Sequence, residues 1–401
     1  MANYIATDTQ FTATANAIRA KTGDSISIEW DASTGFADDI AAISGGGEVW
    51  AAISVTYPAG SVCTATNGTD ALTASDTSGQ VVFGIPEPAS TPETWTVSCT
   101  DGINSNSETA SISTYGQVET LHLAYADPVL NNNSWNTISA ISLQGTGDTY
   151  WDIGDKKNIV INGNIGTRTY YNNSQFYVFI LDFNHPINKT IADNNIIWGC
   201  FKKSDGTNWA FVDSKYGSYS EDGTYYYNYN HNGNSKTGGW KNSQLRYDIL
   251  GGTSSRNADA TQNTIDTPVS GTFLAALPSD LRSVIRLWNR YIDSQGTNSS
   301  SDSYCNTPTV DAVTLLAEFE VFGIRTRANT YEQNHQKQLA YYANGNSKDK
   351  YRNDYDSKNS CIWWLASTSV VDTTSICCVS SGSLSDAGAR NSRGLAPAFR
   401  T

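Results

Sequence analysis

The spacing of hydrophobic residues along the chain separates a short helical start from two larger regions. Apolar side chains recur at helical spacing over residues 11–22, and Gly23 is a typical helix stop. A second short helix is predicted over residues 36–43. Because neither helix buries enough surface by itself, residues 1–44 are predicted to form an attachment or oligomerisation unit, with a small cap as the alternative.

After the flexible break Gly45-Gly46-Gly47, the pattern changes to short alternating runs of apolar and polar residues. The clearest runs are Val49–Val55, Val81–Phe83 and Thr94–Ser98, and turn residues separate them. Strands at this spacing predict a small β-sandwich over residues 48–117.

Residues 118–401 form a third, larger region with fewer regular elements. Strands are predicted at Asn158–Ile161 and Phe176–Leu181, and the Asn/Gly/Ser/Tyr-rich segment Tyr219–Gly239 is predicted to be loop. So much loop, held by scattered aromatic residues, favours a compact α+β fold of low regularity.

Two helices are also predicted in this third region. One runs from Phe273 to Trp288, past Pro278, with Ser279 as a good N-cap. The other is more polar and covers Thr330–Asn344.

The C-terminal stretch has apolar anchor residues at both ends, and the residues between them show no regular pattern of hydrophobic and polar positions. It opens with Trp363-Trp364-Leu365 and closes with Gly394–Phe399, and the intervening Ala366–Arg393 contains no Lys, Glu, Gln, Met or Trp. Each large anchor side chain contributes about 1.5–3 kcal/mol when buried. This arrangement indicates a scaffold that presents a changeable surface, which favours recognition over catalysis.

Composition and charge limit which kinds of molecule the protein is expected to bind and where it is expected to act. The 401-residue chain has a formal net charge of −13, which argues against nucleic acid or an anionic membrane as the main partner. Its 11 Trp, 22 Tyr and 12 Phe fit a folded, β-rich extracellular or virion-surface protein. No apolar run approaches the ~20 residues needed to span a bilayer, and no secretory signal follows Met1. We therefore expect synthesis in the cytoplasm and release by lysis or by assembly into a particle.

The seven cysteines lack metal-site spacing, so zinc is not expected. The sequence contains no phosphate-binding loop and no EF-hand spacing, so no cofactor is expected, and a calcium ion held by Asp and Asn in the lectin-like loops is left open. Cys63 and Cys99 lie in two predicted strands and could approach each other. Free buried thiols are favoured over a disulfide, because nothing in the sequence marks an oxidising compartment. Cys377 and Cys378 are adjacent in a predicted strand and point to opposite faces, which argues against one shared catalytic site.

Several phrases of the third region resemble one known family: Ser134-Trp135, Tyr150-Trp151, Phe273–Pro278, Leu315–Gly323, Tyr341-Tyr342 and the ending from Trp363 to Phe399. The family comprises C-type-lectin-like domains of bacterial and phage surface proteins, many of them targets of diversity-generating retroelements. The resemblance covers residues 120–401 and implies a fold similar to that of formylglycine-generating enzyme. Residues 15–23 look like the start of many phage tail proteins, and the sandwich is similar to immunoglobulin-like modules found between such parts.

Retroelement diversification, as this resemblance implies, replaces template adenines with random bases. An asparagine codon changed in this way cannot encode Lys, Glu, Gln, Met or Trp, the types missing from Ala366–Arg393. A surface loop rich in small residues is the alternative explanation.

The resemblance thus implies a variable region at about residues 359–393. Its candidate ligand-binding residues are Ala366, Ser369, Val370, Val371, Asp372, Thr373, Thr374, Ile376, Cys377, Ser380, Ser381, Ser383, Leu384, Asp386, Arg390, Asn391 and Arg393. The scaffold residues are Trp363, Trp364, Leu365, Gly394, Pro397 and Phe399.

Other polar and aromatic groups have competing interpretations. Glu318 and Glu320 would share one strand face, where paired carboxylates can be catalytic, but their place in a family phrase favours hydrogen-bonded structural roles. The Tyr225–Tyr229 run fits a sugar-stacking loop and a cover for the core equally well. The histidines lack metal or triad spacing; they are His122, His185, His231 and His335.

These features predict a multidomain, non-enzymatic protein with a helical N-terminal unit (1–44), an immunoglobulin-like β-sandwich (48–117) and an α+β C-type-lectin-like ligand-binding domain (118–401). The resemblance implies a host-recognition adhesin of a phage tail. Its partners would be a host surface protein or glycan and other tail proteins, and by analogy with tail proteins it would be a homotrimer. The alternatives are a structural tail component without a host ligand, and an oxidase or hydrolase that uses Cys377 and Cys378.

Overall fold

The protein is β-rich and contains more than one domain, as predicted. The computed structural model describes residues 49–74, 79–101, 105–166, 169–203, 205–218, 226–230, 233–251, 253, 263–354 and 358–401. The predicted N-terminal unit and the glycine break after it lie outside these residues. The chain divides into two compact units, Met1–Tyr125 and Ala126–Thr401.

The described part of the first unit contains seven strands. These are β1 (Val49–Thr56), β2 (Val62–Thr66), β3 (Ala71–Thr73), β4 (Gln80–Pro86), β5 (Glu93–Thr100), β6 (Ser105–Ile112) and β7 (Val118–His122). They form two sheets, with strand order β4-β1-β7 in one and β3-β2-β5-β6 in the other. The three predicted strands lie in β1, β4 and β5, so this prediction is confirmed.

Alternation of apolar and polar residues explains how these sheets enclose a core. In β5, every second side chain is buried, namely Trp95, Val97 and Cys99. Both sheets contribute to one buried cluster. The first unit extends beyond the predicted end at residue 117, because β7 pairs in parallel with β1 and completes its sheet.

The second unit combines short helices with small sheets. Its α-helices are α1 (Trp135–Gln144), α2 (Gly147–Tyr150), α3 (Asn263–Asp266), α4 (Phe273–Ala276), α5 (Ser279–Arg282), α6 (Glu318–Phe322) and α7 (Ala340–Ala343). The 3-10 helices are Leu130–Asn132, Asp302–Tyr304 and Thr330–Asn334, and a π-helix covers Leu245–Leu250.

The strands of this unit are β8 (Lys156–Ile165), β9 (Thr169–Phe183), β10 (Ile196–Lys202), β11 (Trp209–Ala210), β12 (Trp288–Arg290), β13 (Thr309–Asp311), β14 (Tyr351–Arg352), β15 (Trp363–Thr368), β16 (Ser375–Ser380), β17 (Ser383–Gly388) and β18 (Ala398–Arg400). Four of them form a sheet of order β18-β10-β9-β8, and three form a sheet of order β15-β16-β17. The pairs β11-β14 and β12-β13 form two further sheets. The predicted strands Asn158–Ile161 and Phe176–Leu181 lie in β8 and β9 and are confirmed.

The last strand of the described chain joins this four-stranded sheet next to β10. Trp198 of β10 lies opposite Phe399 of β18, and their rings stack with centroids 6.2 Å apart. The rings of Trp135 in α1 and Trp198 form a T-shaped pair with centroids 5.2 Å apart. Aromatic packing therefore ties the end of the chain to the start of the second unit.

The prediction of one long helix from Phe273 to Trp288 was wrong. Two four-residue helices, α4 and α5, replace it, and Trp288 lies in strand β12. Pro278 has no N–H to continue α4 and disfavours helical geometry in the preceding residue, so Leu277 is extended. Ser279 is the first residue of α5, and Pro278 occupies the N-cap position.

The second predicted helix, Thr330–Asn344, is also interrupted. A 3-10 helix covers its start and α7 covers its end, while Leu339 between them is extended and fully buried. The N–H of Leu339 donates to the carbonyl of Glu320 at 3.0 Å, so tertiary packing overrides the local helical preference. In the described part of the chain, no helix is long and apolar enough to cross a membrane.

Candidate ligand-binding surface

The C-terminal stretch folds as an antiparallel meander whose strands differ in exposure. β15 and β16 are buried over nearly their whole length, whereas β17 is the outer strand and is mostly half-buried. Register pairs between β16 and β17 run from Ser375 opposite Gly388 to Ser380 opposite Ser383. The meander therefore has a buried inner part and an edge that faces solvent.

The residues expected to form the scaffold all lie in the interior: Trp363, Trp364, Leu365, Gly394, Pro397 and Phe399. The indole Nε1 of Trp363 donates to the carbonyl of Lys348 at 3.1 Å, and that of Trp364 donates to the carbonyl of Tyr227 at 2.9 Å. Gly394 is tightly enclosed, because a Cβ there would lie 2.4 Å from the Sγ of Cys361. Hydrogen bonds and close packing thus hold these anchors in addition to burial.

Most candidate binding residues reach solvent. The exposed ones are Val371, Thr373, Ser381, Ser383 and Arg390. The partly exposed ones are Val370, Asp372, Thr374, Ser380, Leu384, Asp386, Asn391 and Arg393. They lie on the loop between β15 and β16, on the turn between β16 and β17, on β17, and on the segment that follows β17.

The remaining candidates, Ala366, Ser369, Ile376 and Cys377, are buried instead. Ala366, Ile376 and Cys377 lie where β15 and β16 are covered on both faces, so alternation along the strands does not bring them to the surface. Ser369 follows β15 and is buried as well. Ala366 illustrates this cover: its N–H donates to the carbonyl of Leu316 at 2.9 Å, and its carbonyl accepts from the hydroxyl of Tyr229 at 3.0 Å.

The loop between β15 and β16 is organised by Asp372. Its carboxylate accepts hydrogen bonds from the N–H groups of Thr374 and Ser375, both at 2.7 Å, and from the Ser375 hydroxyl at 2.6 Å. Partial burial opposes ionisation, but these hydrogen bonds outweigh it and lower the pKa of Asp372. Asp372 therefore builds the loop, while Val371 beside it is 61 % exposed and projects outward.

Arg327 adds a charged group that the sequence analysis missed. Its guanidinium lies 2.5 Å from the carboxylate of Asp386 on β17, and both side chains are partly exposed. The carbonyl of Arg327 also accepts from the N–H of Val370 at 2.8 Å, so the residue borders the loop as well as the outer strand. No motif marked Arg327, because it precedes the C-terminal stretch and reaches it only through the fold.

Glu318 and Glu320 lie in helix α6, not in the predicted strand. The carboxylate of Glu318 accepts from the N–H groups of residues 326–328, which fixes the loop that carries Arg327. Glu320 forms two hydrogen bonds of 2.6 Å with the guanidinium of Arg290, and both side chains are almost fully buried. Both carboxylates are therefore hydrogen-bonded inside the fold, as the preferred interpretation expects.

Glu332 supports β15 from within the core. Its carboxylate accepts from the hydroxyl of Ser367 at 2.6 Å and from the N–H of Asp293 at 3.1 Å. Burial raises the pKa of Glu332 to about 8, although these two hydrogen bonds oppose the shift. The side chain is therefore largely protonated at neutral pH while the protein is folded.

Residues 208–400 match a protein family described as "Domain of unknown function (DUF6273)". The chain is similar to DUF6273 over this segment. No curated protein matches the chain. No solved structure matches it. The match begins next to β11 and ends in β18, so the DUF6273 segment contains the whole meander and the buried carboxylates beneath it.

Within the DUF6273 segment, the adjacent cysteines are poorly placed for thiolate chemistry. Cys377 and Cys378 are both fully buried, and burial raises the pKa of each thiol, to about 12 for Cys378. The Sγ of Cys377 lies 3.7 Å from the carboxylate of Glu318, whereas Cys378 pairs in register with Ser385. The two thiols thus have different surroundings.

The tyrosine run lies mostly in the interior. Tyr226, Tyr227 and Tyr229 are buried, which favours the interpretation that they cover the core, and Tyr225 lies outside the described residues. Among the described residues, no three His, Cys, Asp or Glu side chains are grouped so as to hold a metal ion.

Proposed function

We propose that this chain is a recognition protein of a phage tail, and that the exposed part of its C-terminal meander binds a host surface protein or glycan. The observation that carries the proposal is the division of the meander into buried strands β15 and β16 and an exposed loop, turn and outer strand. In this proposal, the second unit is a C-type-lectin-like domain and the first is an immunoglobulin-like spacer.

The separation of the meander into buried strands and exposed side chains supports a surface that tolerates amino-acid substitution. Substitutions at exposed positions away from caps and networks usually alter stability by no more than about 0.5 kcal/mol. Val371, Thr373 and Ser383 are such positions, whereas the anchors beneath them are fully buried. Diversification can therefore act on side chains that contact a ligand without disturbing the fold.

The fixed loop geometry also supports binding. Asp372 ties the loop through four hydrogen bonds, and the ion pair between Arg327 and Asp386 connects the outer strand to the loop after α6. A preorganised surface loses little conformational entropy on binding, so a larger share of its contacts appears as affinity.

A binding assay with matched variants tests this proposal. One variant replaces the exposed meander residues Val371, Thr373 and Arg390 with Asn, and its control replaces the exposed residues Val129, Tyr170 and Ile191 of the same unit with Asn. Both are applied to a glycan array and to a panel of intact bacteria. We expect the parent and the control to bind and the meander variant to lose at least tenfold in affinity, with circular dichroism unchanged.

Equal binding by both variants would place the ligand site elsewhere. No binding by the parent to any cell or glycan would favour the structural tail component.

The proposal that retroelement mutagenesis diversifies the meander has a separate test in the DNA that flanks the gene. A partial copy of the segment for residues 359–393, differing mainly at adenines and lying beside a reverse transcriptase gene, is expected, and its absence would remove that proposal alone.

A further inference from the structure

Two of the buried cysteines of the first unit face each other across a sheet. Cys63 in β2 and Cys99 in β5 are directly opposite in the antiparallel register, and both are free thiols. Their side chains are 0 % and 1 % exposed and belong to the same core cluster. Opposite residues in a register share a face of the sheet, so the two thiols point into the core together.

The hydrogen-bond pattern shows which kind of pair this is. The carbonyl of Cys63 accepts from the N–H of Ala74 at 2.8 Å, on the side of β3. In an antiparallel strand, the N–H and carbonyl of one residue point to the same neighbour, so Cys63 and Cys99 form a non-hydrogen-bonded pair. Cα atoms of such a pair are about 4.5 Å apart, inside the range of about 4.4–6.8 Å that a disulfide spans.

We propose that Cys63 and Cys99 are a site of oxidative modification, at which a peroxide converts the two thiols into a cross-strand disulfide. The inference does not depend on the proposed recognition function. The positions are already in register, so the bond requires no strand to slide and no backbone to separate.

The reaction balances with hydrogen peroxide as the oxidant. One cysteine thiolate attacks a peroxide oxygen, the O–O bond breaks, and hydroxide leaves and takes up a proton to form water. The resulting sulfenic acid is attacked at sulfur by the second thiolate, the S–O bond breaks, and a second water leaves. In total the two thiols lose two electrons and two protons, and one peroxide becomes two waters.

Burial makes this oxidation slow and dependent on pH. Desolvation, followed by the charge of neighbouring Cys99, raises the pKa of Cys63 to about 12, so little thiolate is present at neutral pH. The thiol form therefore persists in brief exposures, and the oxidation rate should rise about tenfold for each pH unit between 7 and 9.

The test uses the full chain, with and without hydrogen peroxide. Afterwards the protein is denatured, its free thiols are alkylated, and it is digested without reduction for mass spectrometry. We expect two of the seven thiols to be lost and the peptides that contain Cys63 and Cys99 to be linked. Because the bond closes a loop between residues 63 and 99, the melting temperature of the first unit should rise by roughly 10 °C or more.

Two variants provide matched controls. Cys63→Ser should abolish the linkage and the rise in melting temperature, whereas Cys305→Ser, at a buried cysteine of the second unit, should leave both intact. The peptide map of the parent decides the question even if a variant fails to fold. Seven alkylatable thiols after oxidation, a different linked pair, or oxidation of Cys63 beyond sulfenic acid without linkage would each overturn the proposal.

Discussion

At the scale of single residues, the fully buried carboxyl group of Glu332 should respond to pH. It lies beneath β15 and accepts hydrogen bonds from Ser367 and from the main chain of Asp293. Since burial raises its pKa from the ordinary 4.5 to about 8, folding favours the protonated form. Its effect on stability can therefore be derived from proton linkage.

We expect Glu332 to make the protein less stable as the pH rises from 4.5 to 8. Below pH 4.5 the folded and unfolded states both hold the proton, between 4.5 and 8 only the folded state holds it, and above 8 neither does. Within this window Glu332→Gln should flatten the fall in unfolding free energy by up to about 1.4 kcal/mol per pH unit. Guanidinium unfolding at several pH values measures this slope, with exposed Glu87→Gln as the control. Identical slopes for the parent and Glu332→Gln would contradict the raised pKa.

Gly394 allows a second test at this scale. A methyl group there would meet the Sγ of Cys361 at 2.4 Å and the Cβ of Ala210 at 2.9 Å, and the Ala210 Cβ is fixed to its own backbone. Gly394→Ala should destabilise the protein by about 1–3 kcal/mol in chemical denaturation. Gly388→Ala is the matched control, because its methyl would meet the movable end of Asn234 and should cost less. Equal losses would show that the enclosure of Gly394 is unimportant.

At the scale of secondary-structure elements, strands were easier to predict than helices. In Val49–Val55 and Thr94–Ser98, the alternation of apolar and polar residues indicates which side chains face the core. This pattern predicted strands β1 and β5 correctly. The helix predictions were wrong where tertiary contacts determine the backbone conformation. At Leu339, for example, the N–H donates a hydrogen bond to the carbonyl of Glu320 and not to a residue of the same helix. The Trp and Phe anchors of the C-terminal stretch predicted a buried scaffold, but the burial of Ile376 and Cys377 depends on segments distant in sequence.

The ion pair that positions α6 provides a prediction at this scale. Arg290 and Glu320 are each 2 % exposed, and Glu320 also accepts from the N–H of Ala317 at the start of the helix. Removing one partner leaves a buried charge unpaired, so Glu320→Ala should destabilise the protein by about 3–5 kcal/mol. In the more exposed pair of Arg352 and Asp354, Asp354→Ala should cost less than about 1 kcal/mol. Denaturant melts compare the two, and equal losses would contradict the assigned role.

At the scale of the whole molecule, the proposed function predicts how several copies act together. When several recognition surfaces of modest affinity are displayed side by side, their combined binding to one target is much stronger than that of a single surface. We expect sedimentation equilibrium of the full chain to give three times the chain mass. A monomer at micromolar concentration would contradict the expected trimer, although the meander could still bind as a single site.

The strand that ends the described chain has a consequence for truncated products. β18 follows the meander, pairs with β10 and places Phe399 against Trp198, while the N–H of Thr401 donates to the carbonyl of Ile196 at 3.1 Å. A chain cut short within the meander would lack this strand and leave the ring face of Trp198 that Phe399 covers without its partner. A full-length chain that differs only in exposed meander side chains keeps this contact. The sheet of the second unit is therefore complete only after translation has passed through the whole meander.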